Sequence, residues 1–370
     1  MLRNRFLRLR SLIVIVLVAT VTTLCAQPPR GPQARSPQVH SDGRVTFEYL
    51  APEAETVLLD GGQFGARDLP MEMDTNGIWR VTYGPITPDI YPYAFKVDGV
   101  TVSDPANVDI FANERFKASL VDIPGSVPLD HAIRDVPHGN VHYVYYSSDI
   151  LDTIRRMLIY TPPGFEAGGD RQYPVLYLIH GGSDTEETWY KVGRANFIAD
   201  NLIADGEAVP MLIVMPYGNV RPAPMADFTR DVVEEIIPYV EANYPVVADA
   251  EHRAVAGFSV GGGQTLNIGL TNTDKFAYVC SYAPWTRTEE FQKNFGDWDP
   301  DAEAINENLE LFTLSVGTDD FLYESVLQNI ADFRAEGIEL EANVTDGGHT
   351  WMNCKKYLAT TLRQIFRPAR

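Results

Sequence analysis

Cysteine is scarce, three among 370 residues. That excludes a disulfide-scaffolded mini-protein, and no spacing suits a metal, so the fold must rest on a hydrophobic core. Basic residues are also few: 30 Lys+Arg stand against 50 Asp+Glu, a net charge of −20. Nucleic-acid binders that release counterions need the opposite balance, so the charge argues against nucleic acid as a partner. Long apolar runs are missing too. With 45% apolar and 22% charged residues, the composition excludes a mostly disordered, collagen-like or multi-span membrane protein. The length predicts two domains, with room for a third, at roughly 100–200 residues per domain.

The first 26 residues read as targeting. Arg3, Arg5, Arg8 and Arg10 precede the apolar run Leu12 to Ala19, and Thr20, Thr22 and Thr23 lead into Leu24-Cys25-Ala26. The run is well short of the ~20 residues a spanning helix requires, so the pattern is that of a cleaved signal peptide, which implies a secreted or periplasmic protein without a membrane span. Leu24 fits poorly before a lipidated cysteine. A cut after Ala26 removes four arginines and no acid, so −20 becomes −24. Cys280 and Cys354 are then left in a compartment that permits a disulfide. Residues 27–37 carry four prolines and read as an extended tether.

Residues 38–125 show short alternating runs at Val45–Tyr49, Thr56–Leu59, Trp79–Tyr83 and Tyr93–Val97. Turn signals at Asp60-Gly61-Gly62, Asn76-Gly77 and Asp98-Gly99 separate them, the pattern of a small antiparallel sandwich. No nucleophile paired with a base occurs there. From about residue 128 the periodicity becomes that of strands alternating with helices. Val175–Ile179, Met211–Met215, Ala254–Ala256 and Leu311–Val316 are nearly continuous apolar strands, which implies a mostly parallel sheet covered on both faces. Phe228, Val232, Val233, Ile236, Ile237 and Val240 recur at helical spacing.

The chemistry-bearing residues follow these strands. Gly257-Phe258-Ser259-Val260-Gly261 comes after the third strand and before a segment able to open a helix. A serine on such a strained turn is thrown clear of the sheet. A phosphate loop is excluded by the lack of a Gly-Lys-Ser/Thr tail, since no basic residue lies between Val255 and Thr273. An elbow of this kind requires an acid and then a histidine further along. Gly317-Thr318-Asp319-Asp320 directly follows the fourth strand, and His349 is the one histidine of seven downstream of Ser259. Ser259, Asp320 and His349 therefore form the expected catalytic set: histidine as general base, carboxylate as its orienter, serine as nucleophile. The oxyanion would be met by the backbone N–H groups of Val260 and of Gly182, in the turn His180-Gly181-Gly182. His180 itself reads as structural. No metal cluster and no dinucleotide fingerprint is present in the sequence, and no cofactor is called for.

Two resemblances add to this reading. Gly77-Ile78-Trp79, Tyr91–Gly99 and Asp104–Asn107 resemble the early-set, immunoglobulin-like carbohydrate-binding module of glycogen-branching enzymes. That likeness implies a sandwich, with Trp79 as the only obvious sugar-stacking candidate. Leu178–Gly182, Gly193–Phe197, Val214-Met215-Pro216, Gly257-Phe258-Ser259, Gly317–Glu324 and Gly348–Trp351 resemble the feruloyl and acetyl-xylan esterases of carbohydrate esterase family one, across residues 130–367. This resemblance implies an α/β-hydrolase and places the acid at Asp320, before the Phe-Leu pair, with Asp319 as its neighbour. Trp285 departs from the small residues relatives carry there, and it bears on acyl preference. Trp189, Tyr217, Trp285 and Trp351 are the candidates to face an aromatic acid or a sugar.

The expected protein is an α/β-hydrolase over residues 128–370, preceded by a small all-β sandwich over residues 38–125. Its expected action is release of ferulate from feruloylated plant cell-wall polysaccharide. Alternatives are an acetyl-xylan esterase on acetylated polysaccharide, a siderophore esterase, which the negative charge opposes, and a catalytically silent carbohydrate binder, which the intact triad opposes. Because the triad lies in the later segment, a chain beginning near Pro128 is expected to keep turnover of a small ester. Loss would then fall on insoluble polymer, where a second binding site raises effective concentration.

Overall fold

A computed structural model describes residues 31–220, 225–286 and 300–367; the expected targeting segment lies outside the described residues. The alternating runs of the front region form two antiparallel sheets. Gln38–Val39, Val45–Leu50, Ile78–Tyr83 and Glu72–Met73 lie side by side in one. The other runs Ala66–Pro70, Val57–Gly61, Asp89–Val97, Lys117–Ile123, Ile110–Ala112, with Val100–Val102 also on Asp89–Val97. Alternation delivers Phe47, Leu59, Tyr93, Phe95 and Val121 to a shared core, each at most 1% exposed. Trp79 belongs to that core, and its indole N–H donates to the Ala51 carbonyl (2.9 Å), so its ring offers no stacking platform. Arg35 N–H binds the Glu48 carboxylate, which pins the end of the proline-rich stretch to the sandwich.

The later region is built on one eight-stranded sheet. Along the chain its strands are Asn140–Ser148, Thr153–Thr161, Val175–Ile179, Leu212–Pro216, Arg253–Phe258, Tyr278–Tyr282, Leu311–Gly317 and Glu341–Thr345, and in space they lie in the order 1-2-4-3-5-6-7-8. The first two pairings across this sheet are antiparallel and the remaining five parallel. Strands three to six are buried along their whole length, as continuous apolar runs require. The α/β class and its preceding all-β region are as expected. The leading hairpin was not anticipated: its first strand is at the sheet edge and largely exposed, so it lacks an apolar run.

The helical run anticipated around Phe228–Val240 is interrupted. Met225–Arg230 and Ile237–Asn243 are α-helical, and Asp231–Ile236 between them is a π-turn. Pro238 supplies the cause, because a ring without an N–H cannot complete the α-helical ladder and a wider turn absorbs the mismatch. Cys280 and Cys354 are both buried free thiols, so the disulfide that the compartment would permit is not formed. Burial pushes the Cys280 thiol up to about 11.

The two regions meet through apolar packing, with Ile90, Phe111, Ala118 and Leu120 joining the core of the later region, and through polar groups. Lys355, on the last helix Trp351–Gln364, is 3% exposed and pairs with Asp89 of the sandwich. His131 lies 3.7 Å from the same carboxylate. Burial, with Lys355 nearby, lowers its pKa to about 4 and keeps it neutral. Removing one partner of a buried pair strands the other charge, at a cost of about 3–5 kcal/mol, whereas replacing both partners by hydrophobic side chains of similar volume costs less. Asp89→Ala should therefore lose stability on that scale and the double variant Asp89→Leu with Lys355→Met clearly less. Denaturant unfolding of both variants checks this ranking, and equal losses would reject it.

Candidate functional site

Ser259 stands where the fifth strand of the large sheet turns into the helix Val260–Leu270, with φ 57° and ψ −117°. A non-glycine residue there carries strain of about 1–3 kcal/mol, held by its surroundings. Its N–H donates to the Tyr282 carbonyl (2.9 Å), and its own carbonyl accepts from Gly263 (3.0 Å) and Trp285 (2.8 Å). Glycine is required on both arms of the turn. A Cβ at Gly257 would lie 2.4 Å from the Gly261 carbonyl oxygen, and one at Gly261 would lie 2.3 Å from that of His180. Strand, turn and helix thus pack backbone to backbone.

The carboxylate and the histidine arrive from the ends of the seventh and eighth strands, two and three places further along the sheet. His349 Nδ1 lies 2.9 Å from Asp320 Oδ2 and 3.1 Å from Oδ1. Asp320 is buried, and Leu322 N–H fixes its Oδ1 at 2.8 Å, so the carboxylate is acceptor-only toward the ring. Nδ1 then carries the proton and Nε2 is left as the acceptor. Asp319 is exposed; its N–H ties to the Gly347 carbonyl (2.9 Å), which joins the two loops. The imidazole sits between Phe258, beside the serine, at 4.4 Å and Phe321 at 4.6 Å between ring centroids.

The His180-Gly181-Gly182 turn lies against the elbow. A Cβ on Gly181 would be 3.6 Å from Ser259 Cβ, and one on Gly182 would be 2.8 Å from Val260 Cγ2. Val260 is the first residue of its helix, where N–H groups have no acceptor within the helix, and Gly182 is exposed. His180 is a structural histidine, as expected: Nδ1–H donates to the Gly181 carbonyl and Nε2 accepts from Gly218 N–H, both 2.8 Å. Burial lowers its pKa to about 4.

Among the aromatic candidates, two need correction. Trp189 is fully buried and its indole N–H donates to the Ile179 carbonyl (3.0 Å). Trp351 is 4% exposed and meets Trp189 edge-on at 4.8 Å. Both pack the core behind the site, because each indole finds its partners inside. Trp285, 48% exposed, and Tyr217, half-buried, do border open space. The Trp285 ring lies 6.1 Å from Phe321, itself 68% exposed, and Tyr217 gives its hydroxyl to Glu114. Phe321, Glu114 and Asp184 were not singled out from the sequence. The Phe-Leu pair after Asp320 could have drawn attention to Phe321; no local signal marks Glu114.

The arrangement of sheet order, elbow serine and carboxylate-bound histidine is that of an α/β-hydrolase esterase. Residues 148–368 match the Esterase family, and the chain belongs to it. An endo-1,4-beta-xylanase/feruloyl esterase of Xylanibacter ruminicola is 30% identical over 353 residues, 90% of this chain and 47% of that protein. The chain thus spans about half the length of that relative. A solved ferulic acid esterase is 27% identical with a TM-score of 0.56, covering 61% of this chain and 97% of its own. The enterobactin esterase of Shigella flexneri, at 18% identity and TM-score 0.65, shares the fold over 86% of this chain and 92% of its own. The resemblance to carbohydrate esterase family one is borne out.

Asp184, two residues beyond Gly182, has a pH consequence. It is 5% exposed, and burial pushes its carboxyl from 3.8 up to about 7, only partly countered by the Asn113 amide. A raised carboxyl pKa means that the folded chain binds a proton the unfolded chain has lost, so this group's contribution declines as pH rises from about 4 through 7. Asp184→Asn, which cannot ionise, should therefore gain melting temperature relative to the parent at pH 8 compared with pH 5. A constant difference between the two pH values would show that Asp184 does not titrate there.

Proposed function

We propose that this chain is a secreted serine esterase that releases hydroxycinnamic acids, ferulate first, from plant cell-wall polysaccharide. The observation that carries the reading is the buried Asp320 carboxylate on His349 Nδ1 beside an elbow serine. In this reading Ser259 Oγ attacks the ester carbonyl while His349 Nε2 takes its proton, and Asp320 stabilises the imidazolium. Val260 and Gly182 N–H groups receive the oxyanion. The imidazolium then protonates the departing sugar oxygen as its bond to the acyl carbon breaks, releasing the sugar hydroxyl, and water activated by the same nitrogen frees the acid from the acyl-serine.

Preference for an aromatic acyl group over acetate is supported by the exposed ring of Phe321 beside the imidazole and that of Trp285 next to Phe321. An aromatic pair contributes roughly 0.5–1.5 kcal/mol beyond area burial, which acetate cannot collect. The name of the Xylanibacter relative points the same way. A second reading, a siderophore esterase, has the shared fold of the Shigella enzyme in its favour, front region included, and the net charge of −20 against it. The front β-region, residues 38–125, is proposed as a domain of its own on the strength of the apolar cluster around Phe47, Tyr93 and Phe95, with Ile90, Phe111, Ala118 and Leu120 on the face it packs against the later region.

Ser259→Ala and His349→Ala should each lower kcat on methyl ferulate by about ten-thousandfold or more, with the double variant scarcely worse, because the three groups act as one unit. Asp320→Asn should cost far more than Asp319→Asn. Initial rates on methyl ferulate, acetylated xylan and a catecholate siderophore ester check the reading. Undiminished turnover by Ser259→Ala would end it, and acetylated xylan or the siderophore as preferred substrate would replace ferulate.

A further inference from the structure

The front β-region reaches the elbow's companion turn. Between the strands Ile110–Ala112 and Lys117–Ile123 the chain makes a tight turn whose first residue, Asn113, is 3% exposed. Its side-chain oxygen accepts from the N–H groups of Arg115 and Phe116, closing the turn on itself. Its Nδ2 donates to Asp184 Oδ1 at 2.8 Å. The adjoining backbone makes the same connection, with Glu114 N–H donating to the Ser183 carbonyl (2.7 Å) and the Ala112 carbonyl accepting from Thr188 Oγ1 (3.0 Å). The Glu114 carboxylate also takes the Tyr217 hydroxyl.

What this turn grips is the segment that follows Gly182. Asp184 N–H donates to the Gly181 carbonyl at 3.2 Å, and Asp184 Oδ2 would be 3.1 Å from a Cβ on Gly181. Ser183, between them, has φ +65°, a conformation that a non-glycine residue holds only when its neighbours enforce it. The strained residue, the glycine pair and the buried acid are therefore fixed from the front-region side. The other side of the same turn touches Ser259 and Val260.

We propose that Asn113 is a positioning residue for ester turnover: through Asp184 it sets the place of the Gly181-Gly182 backbone that receives the oxyanion. The inference rests on the esterase reading above and deepens it. Its consequence reverses the sequence-based expectation for truncation, because the front region serves small esters as well as polymer. Displacement of a reacting geometry by about 1 Å can cost on the order of a hundredfold in rate.

Asn113→Asp keeps the acceptor that closes the turn and loses the donor to Asp184. It should lower kcat on methyl ferulate by about ten- to a hundredfold with KM changed little. Binding of an arylboronic acid, whose boron takes up the serine oxygen and presents an oxygen to the oxyanion position, should weaken in proportion. Binding of ferulic acid, measured by calorimetry, should stay as in the parent. The exchange Asn113→Asp with Asp184→Asn restores an amide–carboxylate bond in the opposite sense and should recover most of the lost kcat. Parental kcat in folded Asn113→Asp would overturn the proposal, as would equal weakening of ferulic acid and boronate binding, or an exchange variant no better than Asn113→Asp at matched melting temperature. Ser259→Ala is assayed alongside. Activity surviving there removes the esterase reading itself, whereas a silent Ser259→Ala beside a fully active Asn113→Asp removes the positioning role alone.

Discussion

The site depends on one strained residue. Ser259 occupies φ 57°, ψ −117°, a conformation the chain leaves unless the surroundings hold it. Three backbone hydrogen bonds, from Ser259 N–H to Tyr282 and from Gly263 and Trp285 to its carbonyl, hold it from the sheet, the helix and the next strand end. Close approach of Gly257 to Gly261, and of Gly261 to the His180 carbonyl, leaves no room for relaxation. Strain at the serine and the lack of side chains around it are thus the same constraint seen from two sides. The fully buried strand Arg253–Phe258 is the rigid base that this requires.

That constraint extends outward through neighbouring strand ends. The elbow's companion turn is held by His180 and Gly218 behind it and by the front-region turn at Asn113 and Glu114. Lys355 and Asp89 join the sandwich to the helix that begins two residues after His349. Both front-region contacts therefore end within a few residues of the proposed catalytic groups. A domain tethered only for polymer capture would have no need to bury its polar contacts there, since an exposed surface pair is worth little to stability.

The legible part of this arrangement is the part with a local sequence signature. The elbow could be read because its glycines, preceding strand and following helix are contiguous, and His349 because chain order left no other histidine downstream. Asp320 was separable from Asp319 only through the family resemblance, and the hydrogen bonds to Nδ1 fall on it. Trp189 and Trp351 were misplaced because residue type does not tell which way a ring points: both indoles lie behind the elbow, edge-on to each other. Asn113 was invisible for a different reason. Its partner Asp184 lies 71 residues away, and a single long-range amide–carboxyl pair has no periodicity or spacing to betray it.

The residue environments divide the site into a fixed side and a receiving side. Asp320, with its side chain 1% exposed, sits where water cannot screen it, so its attraction for an imidazolium at His349 is stronger than between exposed partners. Phe258 and Phe321 flank the ring and limit the ways it can turn. On this side the carboxylate and the imidazole are oriented before substrate arrives, which is what stabilisation of a transient charge requires. On the receiving side Trp285 and Phe321 leave 48% and 68% of their surface uncovered. An aromatic acid laid against them removes water from both faces at once, and the free energy released by that burial is available to hold the ester carbonyl at the serine. Acetate has no comparable surface to cover, which is the physical ground on which the proposed reading favours an aromatic acyl group.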